Sequence, residues 1–300
     1  MAPSPRAEAV LTTAPPPQRT ENPSMARSDQ QIAVNVSIHN RVADKYDARH
    51  GEIFNEVEQG RLQAGLARAR DLIRTGGEPL RALDLGCGSG NLSRHLLQLG
   101  FEVVAADVSE RFLQIVEQRF AGEPITTYRL NGRDLGGIPS QSLDMVAVYS
   151  VLHHIPDYLG AVAEAARVCR PGGVIFLDHE PTEDYWVGNP IFEQFRKEAQ
   201  RVNWSKFLAP SNYYHKLVRI FNPRHTNEGD IHVWPDDHIE WASIVQLLAG
   251  RGFRVVAEED YLLFRSTYRE EVYRRYLGRC TDTRMMIFRN EGFSPERGPV

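Results

Sequence analysis

Between Arg81 and Leu99 the sequence reads as a short apolar strand, a tight run of Gly86, Gly88 and Gly90, and then a helix. Glycines so closely spaced let the backbone turn sharply and approach a ligand with no Cβ in the way. This unit limits the fold because it recurs. Strand signals at Arg81–Leu85, Glu102–Ala106, Ile125–Leu130, Met145–Ser150 and Val174–Leu177 alternate with helical signals at Leu92–Leu99, after Ser109, and at Leu159–Cys169. Near-continuous Val/Ile/Leu strands separated by helices predict an α/β protein, a doubly wound parallel sheet covered on both faces. A further helix over His238–Ala249 and strands at Phe253–Glu258 and Met285–Arg289 bring the expected sheet to seven strands.

The flanking segments read differently. Residues 1–30 hold Pro3, Pro5, Pro15, Pro16, Pro17 and Pro23 with no apolar period, and are expected to be disordered. Residues 31–78 carry helical spacing and form an N-terminal cover. The core is expected over 79–180 and resumes over 238–291, with a tail at 292–300. Between the core segments, residues 181–237 break the rhythm. They contain Trp186, Trp204 and Trp234 and mix Arg196, Lys197, Arg201, Lys206, Lys216, Arg219 and Arg224 with many aromatic side chains. This reads as an inserted lid, aromatics inward and cations solvated. His215, His225, His232 and His238 are too irregularly spaced for a compact zinc site, and no metal is expected.

Composition narrows the function. Across 300 residues, Lys+Arg 35 against Asp+Glu 39 gives a net charge of −4, which disfavours a globally basic nucleic-acid binder. Cys87, Cys169 and Cys280 form no paired framework, so a reduced, cytoplasmic setting is expected. The longest strongly apolar stretch, Met145 to Leu152, is far short of the roughly 20 residues that span a bilayer.

The loop also discriminates among nucleotides. A dinucleotide fingerprint places its third glycine at 91, where this chain has Asn91, so an NAD-dependent oxidoreductase is disfavoured. A phosphate loop needs a Lys-Ser/Thr pair that is absent here. Asp107 ends the second strand about 20 residues on, where a carboxylate can accept both hydroxyls of a ribose. A nucleoside without a phosphate-binding loop is the ligand this pattern suits. The bland alternative is a plain strand–helix turn.

With these residues in place, the chain resembles a class I S-adenosylmethionine-dependent methyltransferase. Leu83–Asn91 (LDLGCGSGN) is similar to that family's first motif and Val104–Ser109 (VAADVS) to its second-strand pattern. Leu143–Val146 with Val151–Asp157 (VLHHIPD), and Arg170–Gly173 (RPGG), follow in the family's order. Asn40–Asp47 (NRVADKYD) is similar to the opening of the ubiquinone/menaquinone-type methyltransferases. The resemblance implies S-adenosyl-L-methionine as cofactor. Gly86, Cys87, Gly88 and Gly90 would admit its methionine and ribose, Asp84 would hold the amino group, and Asp107 the ribose hydroxyls. Val108 would pack on the adenine. Asn131-Gly132 stand where the family has an Asp near the adenine amino group, and the Asn131 oxygen can accept from it. Tyr149 and Ser150 would face the methionine, and Tyr46 would close over the cofactor.

For chemistry, His153 and His154 after the fourth strand and His179-Glu180 at the end of the fifth are the candidate bases at the carboxyl edge. They favour an oxygen acceptor on a small molecule over nitrogen or carbon. A non-catalytic S-adenosylmethionine-binding scaffold and an RNA methyltransferase are the other readings.

Overall fold

Asn55 starts the first helix of the sheet-covering layer: its side chain accepts the Glu58 N–H, and α1 runs over Glu56–Asp71. Acidic residues in its first turn and basic ones in its last match the helix dipole. Its buried stripe is Glu58, Leu62, Leu66 and Ala69. The computed structural model describes residues 50–200, apart from 76 and 78, and 239–292, together with Val36, Ser37, Asn40 and Ala43. Tyr46, the expected disordered segment at 1–30, the tail from 293, and the lid residues 201–237 with His215, His225 and His232, and also His238, lie outside the described residues.

The chain then alternates as β1 (Arg81–Leu85), α2 (Asn91–Gln98), β2 (Glu102–Asp107), α3 (Glu110–Arg119), β3 (Ile125–Arg129) and β4 (Leu143–Tyr149). A 3₁₀ turn at Leu152–His154 leads into α4 (Tyr158–Val168) and β5 (Cys169–Pro181). The short helices α5 (Glu183–Val187) and α6 (Pro190–Ala199) follow, and then α7 (Trp241–Ala249), β6 (Phe253–Tyr261), α8 (Glu270–Tyr276) and β7 (Thr283–Asn290). The sheet has seven strands in the order β3-β2-β1-β4-β5-β7-β6, parallel except for β7, which is antiparallel to both neighbours.

All seven residues of β4 are buried, as expected of a central strand with helices on both faces. Alternation along the strands feeds two cores. Leu83, Val146, Val148, Ile175 and Leu177 face Trp241, Ile244 and Leu248 of α7. Ala82, Met145, Ala147 and Phe176 face Leu62 and Leu66 of α1 and Leu92 and Leu96 of α2. A smaller aromatic core joins Phe192 and Phe195 of α6 to Tyr268, Tyr273 and Tyr276 around α8.

The largest departures from the expected elements lie in β5 and after it. β5 is far longer than Val174–Leu177 because the Pro171-Gly172-Gly173 turn lies within the strand. A Cβ at Gly173 would sit 2.7 Å from the Asp144 carbonyl oxygen, so glycine permits that close pairing. The inserted region opens with α5 and α6, and α8 lies where the sequence reading placed no element.

The strand order reverses between β1 and β4. At such a switch point the connections leave in opposite directions, opening a crevice at the carboxyl ends of the strands. The glycine loop after β1 and the histidine turn after β4 both emerge there.

Candidate functional site

The glycine loop is fixed from below. Gly86 and Cys87 donate their N–H groups to the Ala106 carbonyl, and Gly90 N–H closes the turn onto the Cys87 carbonyl. Arg119 of α3 donates to the Ser89 carbonyl at 2.8 Å. All three glycines have positive φ: 78° at Gly86, 49° at Gly88 and 88° at Gly90. They serve different purposes. A Cβ at Gly86 would meet Val151 at 2.6 Å and one at Gly90 would meet the Phe120 ring at 2.6 Å, so these two glycines serve packing. At Gly88 a Cβ would meet no atom within 4 Å. That position faces open space, the cradle a bound nucleoside needs.

Asp107 ties the cradle to the next strand. Its buried carboxylate accepts the Gly88 N–H at 2.9 Å and the Ser109 N–H at 2.7 Å. Ser109 caps α3 and reaches Asn40 of the N-terminal segment through its hydroxyl, 2.6 Å away. Val108, half-buried, lies between them. Asp84 is 1% exposed and accepts the Ser93 hydroxyl at 2.6 Å; burial lifts its carboxyl to about 7. Burial also pushes the Cys87 thiol up.

Asn131 is held in a turn. Its side-chain oxygen accepts the N–H groups of Arg133 and Asp134, and its amide donates to Asp134 Oδ1. Gly132, with φ at 77°, allows that turn.

At the ends of β4 and β5 the candidate bases come together. Glu180 is fully buried. Its Oε1 accepts the N–H groups of Val151 and Leu152, each at 2.7 Å, and its Oε2 lies 2.7 Å from His153 Nδ1. His154 stacks beside His153, ring centroids 4.0 Å apart. His179 Nδ1 lies 2.9 Å from the Tyr149 hydroxyl. Ser150 and His179 hold φ at 60° and 61°, a left-handed conformation that costs a non-glycine residue about 1–2 kcal/mol. Strain concentrated at two adjacent strand ends marks a site where backbone direction matters more than local comfort.

Behind this edge lies a cluster that sequence reasoning missed. Arg61 donates to both oxygens of Asp178 at 3.1 Å and to Glu58 at 3.0 Å, with its guanidinium 3.5 Å over the Tyr261 ring. Tyr261 donates to Asp178, and Asp178 accepts the His179 N–H at 2.7 Å. Burial raises the Asp178 carboxyl against the pull of Arg61. The signal was Glu58, a carboxylate on the apolar stripe of α1, three residues before Arg61.

The comparisons agree with this geometry. A family model described as a methyltransferase domain matches residues 83–177, the span from β1 into β5 that carries both loops. Residues 83–177 thus match a methyltransferase domain. The open position at Gly88 beside the Asp107 carboxylate fits a nucleoside.

The ubiquinone biosynthesis O-methyltransferase of Mesorhizobium japonicum is 35% identical over 101 residues, 33% of this chain and 41% of that protein. The demethylmenaquinone methyltransferase of Tropheryma whipplei is 30% identical over 154 residues, 47% of this chain and 63% of that protein. The chain thus spans less than two thirds of the length of these curated relatives. Among solved structures, the magnesium protoporphyrin IX methyltransferase of Synechocystis PCC 6803 with bound SAM shares the fold at a TM-score of 0.50. It is 16% identical, over 86% of this chain and 96% of that one. A chain from the complex between the Haloferax volcanii Trm112 methyltransferase activator and a methyltransferase superposes with a TM-score of 0.51 at 16% identity, covering 85% and 98%. Among the described residues no group of three His, Cys, Asp or Glu side chains could hold a metal ion, and no helix is long and apolar enough to cross a membrane.

Proposed function

We propose that this protein transfers the S-methyl group of S-adenosylmethionine to a small-molecule acceptor, with oxygen the favoured nucleophile and His153 the general base. The observation that carries the reading is the contact between the two loops. The residue that Gly86 must avoid is Val151, and Val151 N–H is bonded to the same Glu180 that holds His153. Cofactor loop and base are therefore parts of one packed unit at the switch point.

The cofactor supplies an already activated methyl group on a sulfonium. The protein's own residues have the simpler tasks of binding and alignment, which can lower the barrier by several kcal/mol. In this reading Gly88 gives the nucleoside its approach, Asp107 accepts from the ribose while fixing the loop, Val108 and Gly132 border the adenine, and Tyr149 and Ser150 border the methionine. Glu180 holds the His153 ring through Nδ1, and in this reading Nε2 takes the acceptor's proton. His179, fixed by Tyr149, lines the acceptor side. Small-molecule acceptors are further supported by relatives named for quinone methylation.

The test is formation of S-adenosylhomocysteine when the protein, S-adenosylmethionine and a panel of phenols, carboxylic acids and amines are combined. Turnover on an oxygen acceptor that falls about a hundredfold in His153→Ala supports the reading. Unchanged turnover in that variant removes His153 as base. Methylation of RNA but of no small molecule overturns the acceptor class.

A further inference from the structure

Beyond the end of β5 lies a group of polar side chains that the methyl-transfer site does not use. Arg265, half-buried between β6 and α8, has Tyr268, Glu52, Asp282 and Tyr185 as its charge neighbours. Among the described residues its guanidinium takes part in no hydrogen bond or ion pair. Both nearby carboxylates are otherwise engaged. Glu52 lies 2.8 Å from His50 Nδ1, and Asp282 accepts the Leu263 N–H at 2.8 Å and the Thr283 hydroxyl at 3.1 Å. Burial also lifts the Asp282 carboxyl to about 6. By contrast, Arg61, Arg167 and Arg284 each bind a carboxylate through two or more contacts.

Two hydroxyl groups share this neighbourhood. Thr182 is 2% exposed, and its Oγ1 is buried without a partner. Its backbone N–H goes to the Asp282 carbonyl, and its own carbonyl accepts from Tyr185 N–H. Tyr268 is 6% exposed and packs edge-on against Phe195, and its hydroxyl has no hydrogen-bond partner among the described residues. The planar fork of donors on this guanidinium matches a carboxylate.

We propose that Arg265, with the hydroxyls of Tyr268 and Thr182, receives a carboxylate carried by the methyl acceptor. The proposal rests on the methyl-transfer reading and adds the acceptor's chemical class. Thr182 follows His179 and Glu180 by only three and two residues. Extended chain rises about 3.3 Å per residue, so the anion site lies roughly 7–10 Å from the strand ends where the nucleophile is aligned. An aromatic acid with a short side chain spans that distance, and Tyr185 and Phe192, with ring centroids 6.2 Å apart, border it with apolar surface.

The test is calorimetric titration of the full-length protein with hydrocinnamate and with its neutral amide, in the presence and absence of S-adenosylhomocysteine. The acid is expected to bind at least tenfold more tightly than the amide. Arg265→Met should weaken the acid roughly 10- to 100-fold while leaving the amide and the nucleoside unchanged. Arg265→Lys should recover part of the loss, and Tyr268→Phe, which removes only a hydroxyl, should weaken the acid with no change in melting temperature. Equal affinity for acid and amide overturns the proposal. So does failure of the acid to bind at millimolar concentration, or an Arg265→Met variant that binds it like the wild type. Failure to bind S-adenosylhomocysteine, by contrast, counts against the methyl-transfer reading, while the acid–amide ratio still reads the anion site.

Discussion

Gly88→Ala separates what the glycine loop does for folding from what it does for binding. At φ 49° an added Cβ costs about 1–2 kcal/mol, partly offset by about 0.4–1 kcal/mol from the stiffer unfolded chain. It meets no protein atom within 4 Å, so no packing cost is added. The net destabilisation is about 1 kcal/mol or less, a melting shift of roughly 2 °C. In the ligand-bound state the same methyl occupies the cradle. Overfilling a fitted space costs about 1–3 kcal/mol, which weakens S-adenosylhomocysteine roughly 5- to 150-fold. Gly90→Ala is the contrast. Its Cβ lies 2.6 Å from Phe120 and 3.2 Å from Val116, so overpacking adds to the same backbone strain and the fold loses about 2–5 kcal/mol. Thermal unfolding and calorimetric titration of both variants read the two effects separately. The reasoning is refuted if Gly88→Ala binds the nucleoside like the wild type, or if it unfolds as readily as Gly90→Ala.

Further outcomes follow from the same contacts. Glu180→Gln replaces the carboxylate on His153 Nδ1 with an amide that can still accept from Val151 and Leu152; turnover should fall about a hundredfold while stability drops by only about 1–3 kcal/mol, read by initial rates and urea unfolding. Asp84→Asn should stabilise the protein in a pH-dependent way. A carboxyl raised to about 7 favours folding below the unfolded value near 3.8 and loses that advantage as pH rises through 7, so the gain over wild type should grow across that window to a few kcal/mol. A pH-independent difference in unfolding free energy would contradict it. Gln141→Gly relieves a left-handed residue in an exposed turn remote from the crevice; unfolding should show a gain of up to about 1 kcal/mol with no change in nucleoside affinity.

Much of the fold was legible because it depends on local patterns. β1 matches its expected bounds residue for residue, and the buried run of β4 could only be a central strand. Order along the chain places the glycine loop and the histidine turn at strand ends. It does not pair them. The β1–β4 neighbourhood that makes them one site is a long-range property of the crossover. The same limit hid the role of Glu180, which looked like a base candidate but buries its carboxylate to anchor the turn. It also hid Arg61, whose partner Asp178 lies 117 residues away. Nor did the position of Asn131 show that its side-chain oxygen accepts two N–H groups of its own turn, as Asn does in turns.

The central claim is that Gly88 and Asp107 form the seat of a sulfonium nucleoside. Calorimetric titration of the wild type and Asp107→Ala with S-adenosylmethionine, with NADH as control and unfolding monitored in parallel, addresses it most directly. The account predicts micromolar binding of S-adenosylmethionine by the wild type, its loss in a variant that is still folded, and no binding of NADH. Binding of NADH instead, or an Asp107→Ala variant with undiminished affinity for S-adenosylmethionine, would contradict it.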